Sequence, residues 1–186
     1  NMSEIMIMFS SIALGRGSPL NAAQLLWINL LTDVLPGLAL ALDPPAKDVM
    51  QRMPADPDEP LLSNAAKLNL LFDAALMASG SLFSYERSKG RSSDEILNKT
   101  SAFISLTTSQ ILHTLSASAN HKGLLRSGLP RNAKIYGAMG IGAGTIGLGI
   151  ASPWFRQLLG NGALSLPALR AAVGYGILPF VVAELL

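Results

Sequence analysis

Three side chains that carry oxygen ligands lie in an otherwise apolar stretch at 29–37 (NLLTDVLPG). Residues three and four apart share one face of a helix, so Asn29, Thr32 and Asp33 form a single polar patch. Pro36 has no N–H, which leaves the carbonyl of Thr32 without its usual helical partner, and Gly37 makes local unwinding easier. A carboxylate, an amide, a hydroxyl and a freed carbonyl are the ligands that hard cations such as Ca²⁺, Mg²⁺ or Na⁺ accept.

A second pair of such side chains lies at the start of the sequence. Asn1 and Glu4 are three residues apart in a short apolar segment, which the tight turn RGSP at 16–19 joins to the segment with Asp33. The two segments are therefore antiparallel neighbours, so Asn1 and Glu4 can face the same point as the polar patch around Asp33. The carboxylates either bind a cation or pair with buried partners that hold a helix bundle together. We favour the ion site, because a proline break and three oxygen-bearing neighbours accompany the ionisable group.

The composition indicates a membrane protein. Hydrophobic residues make up 49% of the 186 residues and charged residues only 14%, whereas a soluble domain carries about a quarter. The net charge of +2 gives no argument for a nucleic-acid partner, and the absence of cysteine excludes disulfides and thiolate chemistry. The sequence starts with Asn and shows no signal peptide, so we expect it to be a piece of a longer chain.

Six apolar segments alternate with polar connections. A membrane-crossing helix needs roughly 20 apolar residues, and the lack of two-residue alternation favours helices over barrel strands. We predict an all-α fold, a polytopic membrane helical bundle of about six transmembrane helices that forms one domain over 1–186. The predicted spans are 1–15, 20–42, 64–85, 101–119, 134–152 and 166–186.

Other residues in these spans have less distinctive patterns. We expect Asp73 to pair with Lys67 or with a neighbouring helix instead of binding an ion. A lone histidine on a helix, such as His113, is more often a hydrogen-bonded packing residue than a metal ligand. Gly140 and Gly144 indicate either a dimerisation face or close packing against a helix of the same bundle, and we prefer the second interpretation.

The sequence around Asp33 resembles that of a known family. QLLWINLLTDVLPGLALALDPPAKDVM at 24–50, followed by EPLLS at 59–63, closely resembles the sixth transmembrane helix and the following loop of P-type cation ATPases, nearest to the calcium-pump branch. The resemblance implies the C-terminal membrane domain of such a pump, from the end of helix five to helix ten. It also implies that the loops 43–62 and 120–133 are cytoplasmic.

The resemblance also implies a set of metal ligands. On the family's helices five and six, the matching positions are Asn1, Glu4, Asn29, Thr32 and Asp33. On helix eight, Gln110 stands where two-site calcium pumps have a glutamate. A neutral amide binds a divalent ion more weakly than a carboxylate does, so one Ca²⁺ per cycle, or another cation, becomes plausible.

The function implied by the resemblance is that of the cation-binding and translocating domain of an ATP-driven pump, with Ca²⁺ as the expected transported cation. ATP and Mg²⁺ would act only through other domains, because the family's phosphorylation motif, Asp-Lys-Thr-Gly-Thr, is not in the sequence. The chain alone is therefore not expected to hydrolyse ATP. The alternative is a free-standing, non-catalytic membrane protein, either a truncated pump remnant or a pump-associated cation-binding bundle.

The expected surroundings follow from the same interpretation. The partners would be the lipid bilayer and the remainder of the pump, which comprises helices one to five and the cytosolic domains. No nucleic-acid partner is expected. We expect an integral, multi-pass protein of a bacterial plasma membrane.

Overall fold

The computed structural model describes residues 1–42, 50, 62–118 and 133–185. Within these ranges every regular element is a helix, which confirms the predicted all-α class. The two loops predicted to be cytoplasmic, 43–62 and 120–133, lie largely outside the described residues.

The helices follow the apolar segments of the sequence. The second segment is one continuous helical rod whose central turn is a π-helix, and a short helix follows the fifth segment. In chain order the elements are α1 (Met2–Ala13), α2 (Ala22–Ile28), the π-helix (Asn29–Val34), α3 (Leu35–Ala41), α4 (Asn64–Lys89), α5 (Glu95–Ser118), α6 (Ala133–Ala151), α7 (Pro153–Leu159) and α8 (Leu166–Leu185).

Two described helices are long and apolar enough to cross a membrane, Ala22–Ala39 and Leu166–Leu185. A third candidate arises if α6 and α7, which are bent by 100° at Ser152, count as one broken span. These helices support a membrane protein, and the count of six spans remains a prediction. The connection between the predicted spans 134–152 and 166–186 contains a further helix, α7, because Pro153 suits the first turn of a helix.

Helix starts are determined by local side chains. Asn21 and Gln24 form a reciprocal capping box at α2, in which the Gln24 N–H donates to Asn21 Oδ1 at 2.8 Å and the Asn21 N–H donates to Gln24 Oε1 at 2.9 Å. The Ala66 N–H donates to Ser63 Oγ at the start of α4, at 3.1 Å. These bonds satisfy amides that have no partner inside the helix.

The centre of the bundle consists of α4, α5 and α8, which pack against one another. Glycines allow the close approach: a Cβ on Gly80 of α4 would lie 2.6 Å from the carbonyl oxygen of Tyr175, and one on Gly176 of α8 would lie 2.5 Å from that of Ser105. Such approaches are typical of helices that pack by small residues in membranes. The remaining elements are arranged around this centre, with α1 against α4 and with α3 and α5 against α6.

The glycines of α6 pack differently from our expectation. A Cβ on Gly140 or Gly144 would meet no atom within 4 Å in the described structure, so this step makes no close contact with a described helix of the bundle. Gly142 faces Ile111 of α5 instead, where a Cβ would lie 3.0 Å from Cδ1. The preferred interpretation was therefore wrong for this pair, because the rotation of α6 about its axis turns Gly142 inward and not its neighbours.

The turn between α1 and α2 is attached to the far end of α4. Arg16 forms an ion pair with Glu86, and Lys89 Nζ donates to the Arg16 carbonyl at 2.9 Å. The Tyr85 hydroxyl, fully buried, donates to Glu95 Oε1 at 2.7 Å and ties α4 to the start of α5. These contacts hold α1 beside α4, which determines where Asn1 and Glu4 lie.

Candidate cation site

The polar patch of the second segment lies on a π-helix. Asn29–Val34 has π geometry between the α-helical segments α2 and α3, and Pro36 follows directly in the first turn of α3. Gly37 makes local unwinding easier, but the structure keeps the chain helical with a wider turn. A π turn pairs each N–H with the carbonyl five residues earlier, so it shifts the hydrogen-bond register just before a proline that cannot donate.

Glu4 joins α1 to the π-helix. Its side chain is 7% exposed. The Asn1 side-chain amide donates to Glu4 Oε1 at 2.7 Å, and the Asn29 amide donates to Glu4 Oε2 at 3.1 Å. Both carboxylate oxygens are thereby held by neutral amides, and a buried carboxylate needs such partners.

Asp33 is the second carboxylate of the cluster. Its Oδ1 accepts from the Asn1 amide at 3.4 Å and from the Thr32 hydroxyl at 3.3 Å, both of which are long contacts. Thr32 is buried and its hydroxyl also lies 2.9 Å from the Ile28 carbonyl. Asp33 itself is exposed, so it is held loosely and has room for a further ligand.

Gln110 reaches the cluster from α5 through a residue that the sequence did not indicate. Its Nε2 donates to Ser3 Oγ at 3.0 Å, and Ser3 Oγ donates to Asn1 Oδ1 at 3.1 Å. Ser3 is 1% exposed. The only feature of the sequence that could have indicated Ser3 is its position between Asn1 and Glu4. Within the described residues, the buried Gln110 Oε1 has no hydrogen-bond partner, so one oxygen remains available for a ligand.

A cavity of about 270 Å³ opens beside these residues. Four of the six predicted ligands line it. Glu4 does not line it but is hydrogen-bonded to Asn1, which does, and Asn29 is hydrogen-bonded to Glu4. The lining residues are Asn1, Thr32, Asp33, Pro36, Gly37, Met77, Gln110, His113, Thr114 and Ala117.

One hydrogen-bonded network thus contains all six predicted side chains. It has two carboxylates, which carry two formal negative charges when ionised, and its other oxygens belong to amides and hydroxyls. In the described part of the chain no group of three or more His, Cys, Asp or Glu residues could hold a metal. Neutral oxygens must therefore complete any cation site, as is common for Ca²⁺ but not for soft metals. The amides now direct N–H groups at the carboxylates, and rotation by half a turn would present their oxygens.

His113 and Asp73 form a separate pair outside this network. His113 Nε2 lies 3.9 Å from Asp73 Oδ2, between α5 and α4. Asp73 thus has a partner on a neighbouring helix, and that partner is His113 and not Lys67. Sequence reasoning did not indicate that His113 also lines the cavity, because the orientation of a lone helical histidine depends on how α5 packs.

A protein family described as "Cation transporting ATPase, C-terminus" matches residues 17–186. Calcium-transporting ATPase 1 of Bacillus cereus is 29% identical over 201 aligned residues, which cover 100% of this chain and 23% of that protein. Calcium-transporting ATPase type 2C member 2 of Mus musculus is 29% identical over 173 residues, covering 91% of this chain and 18% of that protein. The plasma membrane-type calcium-transporting ATPase 7 of Oryza sativa subsp. japonica is 33% identical over 143 residues, which cover 76% of this chain and 14% of that protein. The chain thus spans less than a quarter of the length of these relatives.

Proposed function

Because the chain belongs to the family of cation-transporting ATPase C-termini, we propose that it is the cation-binding and translocating membrane domain of an ATP-driven pump and that Ca²⁺ is the transported ion. The matched relatives are named as calcium-transporting ATPases, which supports the choice of ion. ATP and Mg²⁺ would act through the remainder of the pump. For the location we propose a bacterial plasma membrane, with lipid around the bundle.

The observation that carries this proposal is the position of Glu4. It connects Asn1 on one helix with Asn29 on the next, and Asn1 in turn contacts Asp33 at the cavity. Two carboxylates, with amide and hydroxyl oxygens around them, fit the oxygen-only preference of Ca²⁺. We propose Asn1, Glu4, Asn29, Thr32, Asp33 and Gln110 as the metal ligands.

Transport requires that these ligands switch between high and low affinity. The ligands come from three separate helices, α1, the π-helix and α5, so a small movement of α1 along the π-helix would separate Glu4 from Asn29. A ligand shifts such an equilibrium only by its differential affinity for the two states. We propose that phosphorylation in the remainder of the pump drives this movement. Ca²⁺ would be bound in the state in which α1 and the π-helix are in contact.

The number of ions per cycle depends on Gln110. Its side chain offers a neutral oxygen with no described partner, whereas a glutamate there would add a third carboxylate. We propose one Ca²⁺ per cycle, because two carboxylates balance the charge of a single divalent ion.

The test is ATP-driven uptake of radioactive Ca²⁺ into vesicles by the complete pump that contains this chain. Asp33→Asn keeps the size of the side chain and removes its charge, and we expect uptake to be lost while the protein remains folded and inserted. The matched control is Asp94→Asn at the exposed start of α5, where Asp94 Oδ1 accepts the Ile96 N–H and an asparagine caps equally well. Normal uptake by the Asp33→Asn pump would exclude this ligand assignment. A lack of ATP-driven cation uptake by the unmodified protein would favour the free-standing, non-catalytic alternative.

A further inference from the structure

A chain of hydrogen bonds connects the carboxylates of the proposed site with the side-chain amide of Gln110. Asn1 Nδ2 donates to Glu4 Oε1 at 2.7 Å and to Asp33 Oδ1 at 3.4 Å. Ser3 Oγ donates to Asn1 Oδ1 at 3.1 Å and accepts from Gln110 Nε2 at 3.0 Å. Ser3 is 1% exposed and is the member of this chain that is not a proposed ligand. Its hydroxyl connects α1 with α5 beside the cation cavity.

The carboxylates determine the direction of every bond in this chain. An ionised carboxylate can only accept hydrogen bonds, so the Asn1 amide must turn its nitrogen toward Glu4 and Asp33 and its oxygen toward Ser3. The Ser3 hydroxyl has a single hydrogen, which it donates to Asn1 Oδ1. Only lone pairs of Ser3 Oγ then remain for the next bond. Gln110 must therefore present its nitrogen to Ser3, as it does.

The orientation of the Gln110 amide decides whether this residue can bind a cation, because only its oxygen is a ligand. With Nε2 held by Ser3, Oε1 has no hydrogen-bond partner among the described residues. The Gln110 side chain also interacts with the Glu4 carboxylate. A cation bound to Glu4 would compete with that interaction, because it takes up the lone pairs of the carboxylate. Ser3 would then be the partner that keeps Nε2 away from the cation.

We propose that Ser3 is a positioning residue of the cation site, which holds the Gln110 amide with its oxygen available to Ca²⁺; this inference rests on the proposed function. The same hydroxyl allows Asn1 to turn its oxygen toward the ion. A hydroxyl oxygen accepts two hydrogen bonds, so Ser3 can accept from the nitrogens of Asn1 and Gln110 together and leave both amide oxygens for Ca²⁺. Ser3 acts through these two amides and is not itself a ligand.

The test is isothermal titration of the purified complete pump with Ca²⁺, in two backgrounds. In the unmodified background we expect Ser3→Ala to weaken the affinity by about threefold to tenfold, the effect of losing one hydrogen bond. In the Gln110→Glu background we expect Ser3→Ala to change the affinity by less than about twofold, because both ends of a carboxylate are oxygens. The matched control is Ser81→Ala on α4, another fully buried serine, whose hydroxyl donates to the Met77 carbonyl in its own helix. It should leave the affinity unchanged in both backgrounds.

The comparison of backgrounds separates positioning from packing. A hydroxyl that only supports the contact of α1 with α5 would cost the same factor in both, and that result would overturn the proposal, as would an unchanged affinity in Ser3→Ala.

If the Ser3→Ala pump does not fold, Ser3→Cys gives the same comparison with a side chain of similar shape, because a thiol is only a weak donor and acceptor. The same affinity as the unmodified pump, or an equal loss in both backgrounds, would again overturn the proposal. Absence of Ca²⁺ binding by the unmodified pump would instead contradict the proposed function itself.

Discussion

At the residue scale, the cluster depends on amides that donate hydrogen bonds to two carboxylates. Glu4 and Asp33 share Asn1 as a donor, at 2.7 and 3.4 Å, and Glu4 has Asn29 as a second donor. Hydrogen bonds to a charged acceptor are stronger than those between neutral groups, so Asn1 and Asn29 stabilise the carboxylates when no cation is bound. In the proposed site Ca²⁺ would have to displace these amide hydrogens, so the amides would be both ligands and competitors.

Gln110 offers the clearest single-residue prediction. For Gln110→Glu in the complete pump we expect a tighter Ca²⁺ affinity, by about tenfold, or a second bound ion, because a third carboxylate joins the cavity. Isothermal titration of the purified pump measures both quantities. The matched control is Gln157→Glu on α7, which makes the same change on a helix that lines no part of the cavity among the described residues. Unchanged affinity and stoichiometry in Gln110→Glu would count against its place in the site.

At the scale of elements, the π-helix accounts for how one segment that is long enough to cross a membrane can also present the proposed ligands. A π turn contains one residue more than the α turn that it replaces, so Asn29, Thr32 and Asp33 spread over a wider arc than an α-helix allows. Asn29 consequently reaches Glu4 on α1, and Thr32 and Asp33 reach the cavity. Pro36 ends this register because it has no N–H to donate.

The crossing of α4 and α8 carries an element-scale prediction. For Gly80→Ala we expect a lower melting temperature, with a loss of about 1–3 kcal/mol, because the added methyl group would overlap the Tyr175 carbonyl and Pro179. Thermal unfolding of the pump in detergent, followed by circular dichroism, measures the change. Gly140→Ala is the matched control, since its methyl group meets nothing within 4 Å and alanine favours the helix. Equal melting temperatures for the two variants would mean that α4 and α8 pack less closely than described.

At the scale of the whole molecule, one face of the bundle is left open. Asp33 is exposed, and on α1 the large apolar side chains of Ile5, Phe9 and Ile12 are 62%, 72% and 58% exposed. The matched relatives are more than four times as long as this chain, so further helices are available in such proteins to cover this face. In a complete pump of this kind, lipid or such helices would surround α1, and helices placed there could add ligands beside Asp33.

We therefore expect the isolated 186-residue chain to bind Ca²⁺ more weakly than the complete pump, by about tenfold or more for each ligand that the remainder supplies. Titration of both proteins in the same detergent checks this expectation, and circular dichroism verifies that the isolated chain is helical. Equal affinities would show that these residues form a complete site without the remainder of the pump.

The sequence by itself determined the helical class and the shared face of Asn29, Thr32 and Asp33. Both follow from the pattern of apolar residues and the helical repeat, which are local properties of the chain. It also indicated that Asn1 and Glu4 lie close to Asp33, because a four-residue turn leaves two helices few other arrangements.

Only the tertiary structure decided which side chains meet across helices. The bridge through Ser3, the access of His113 to the cavity and the inward orientation of Gly142 instead of Gly140 all depend on how each helix is rotated about its axis. That rotation results from the packing of many side chains at once, and a single sequence shows no local signal for it. The π register also escaped prediction, because a proline indicates a broken hydrogen bond but not how the chain compensates for it.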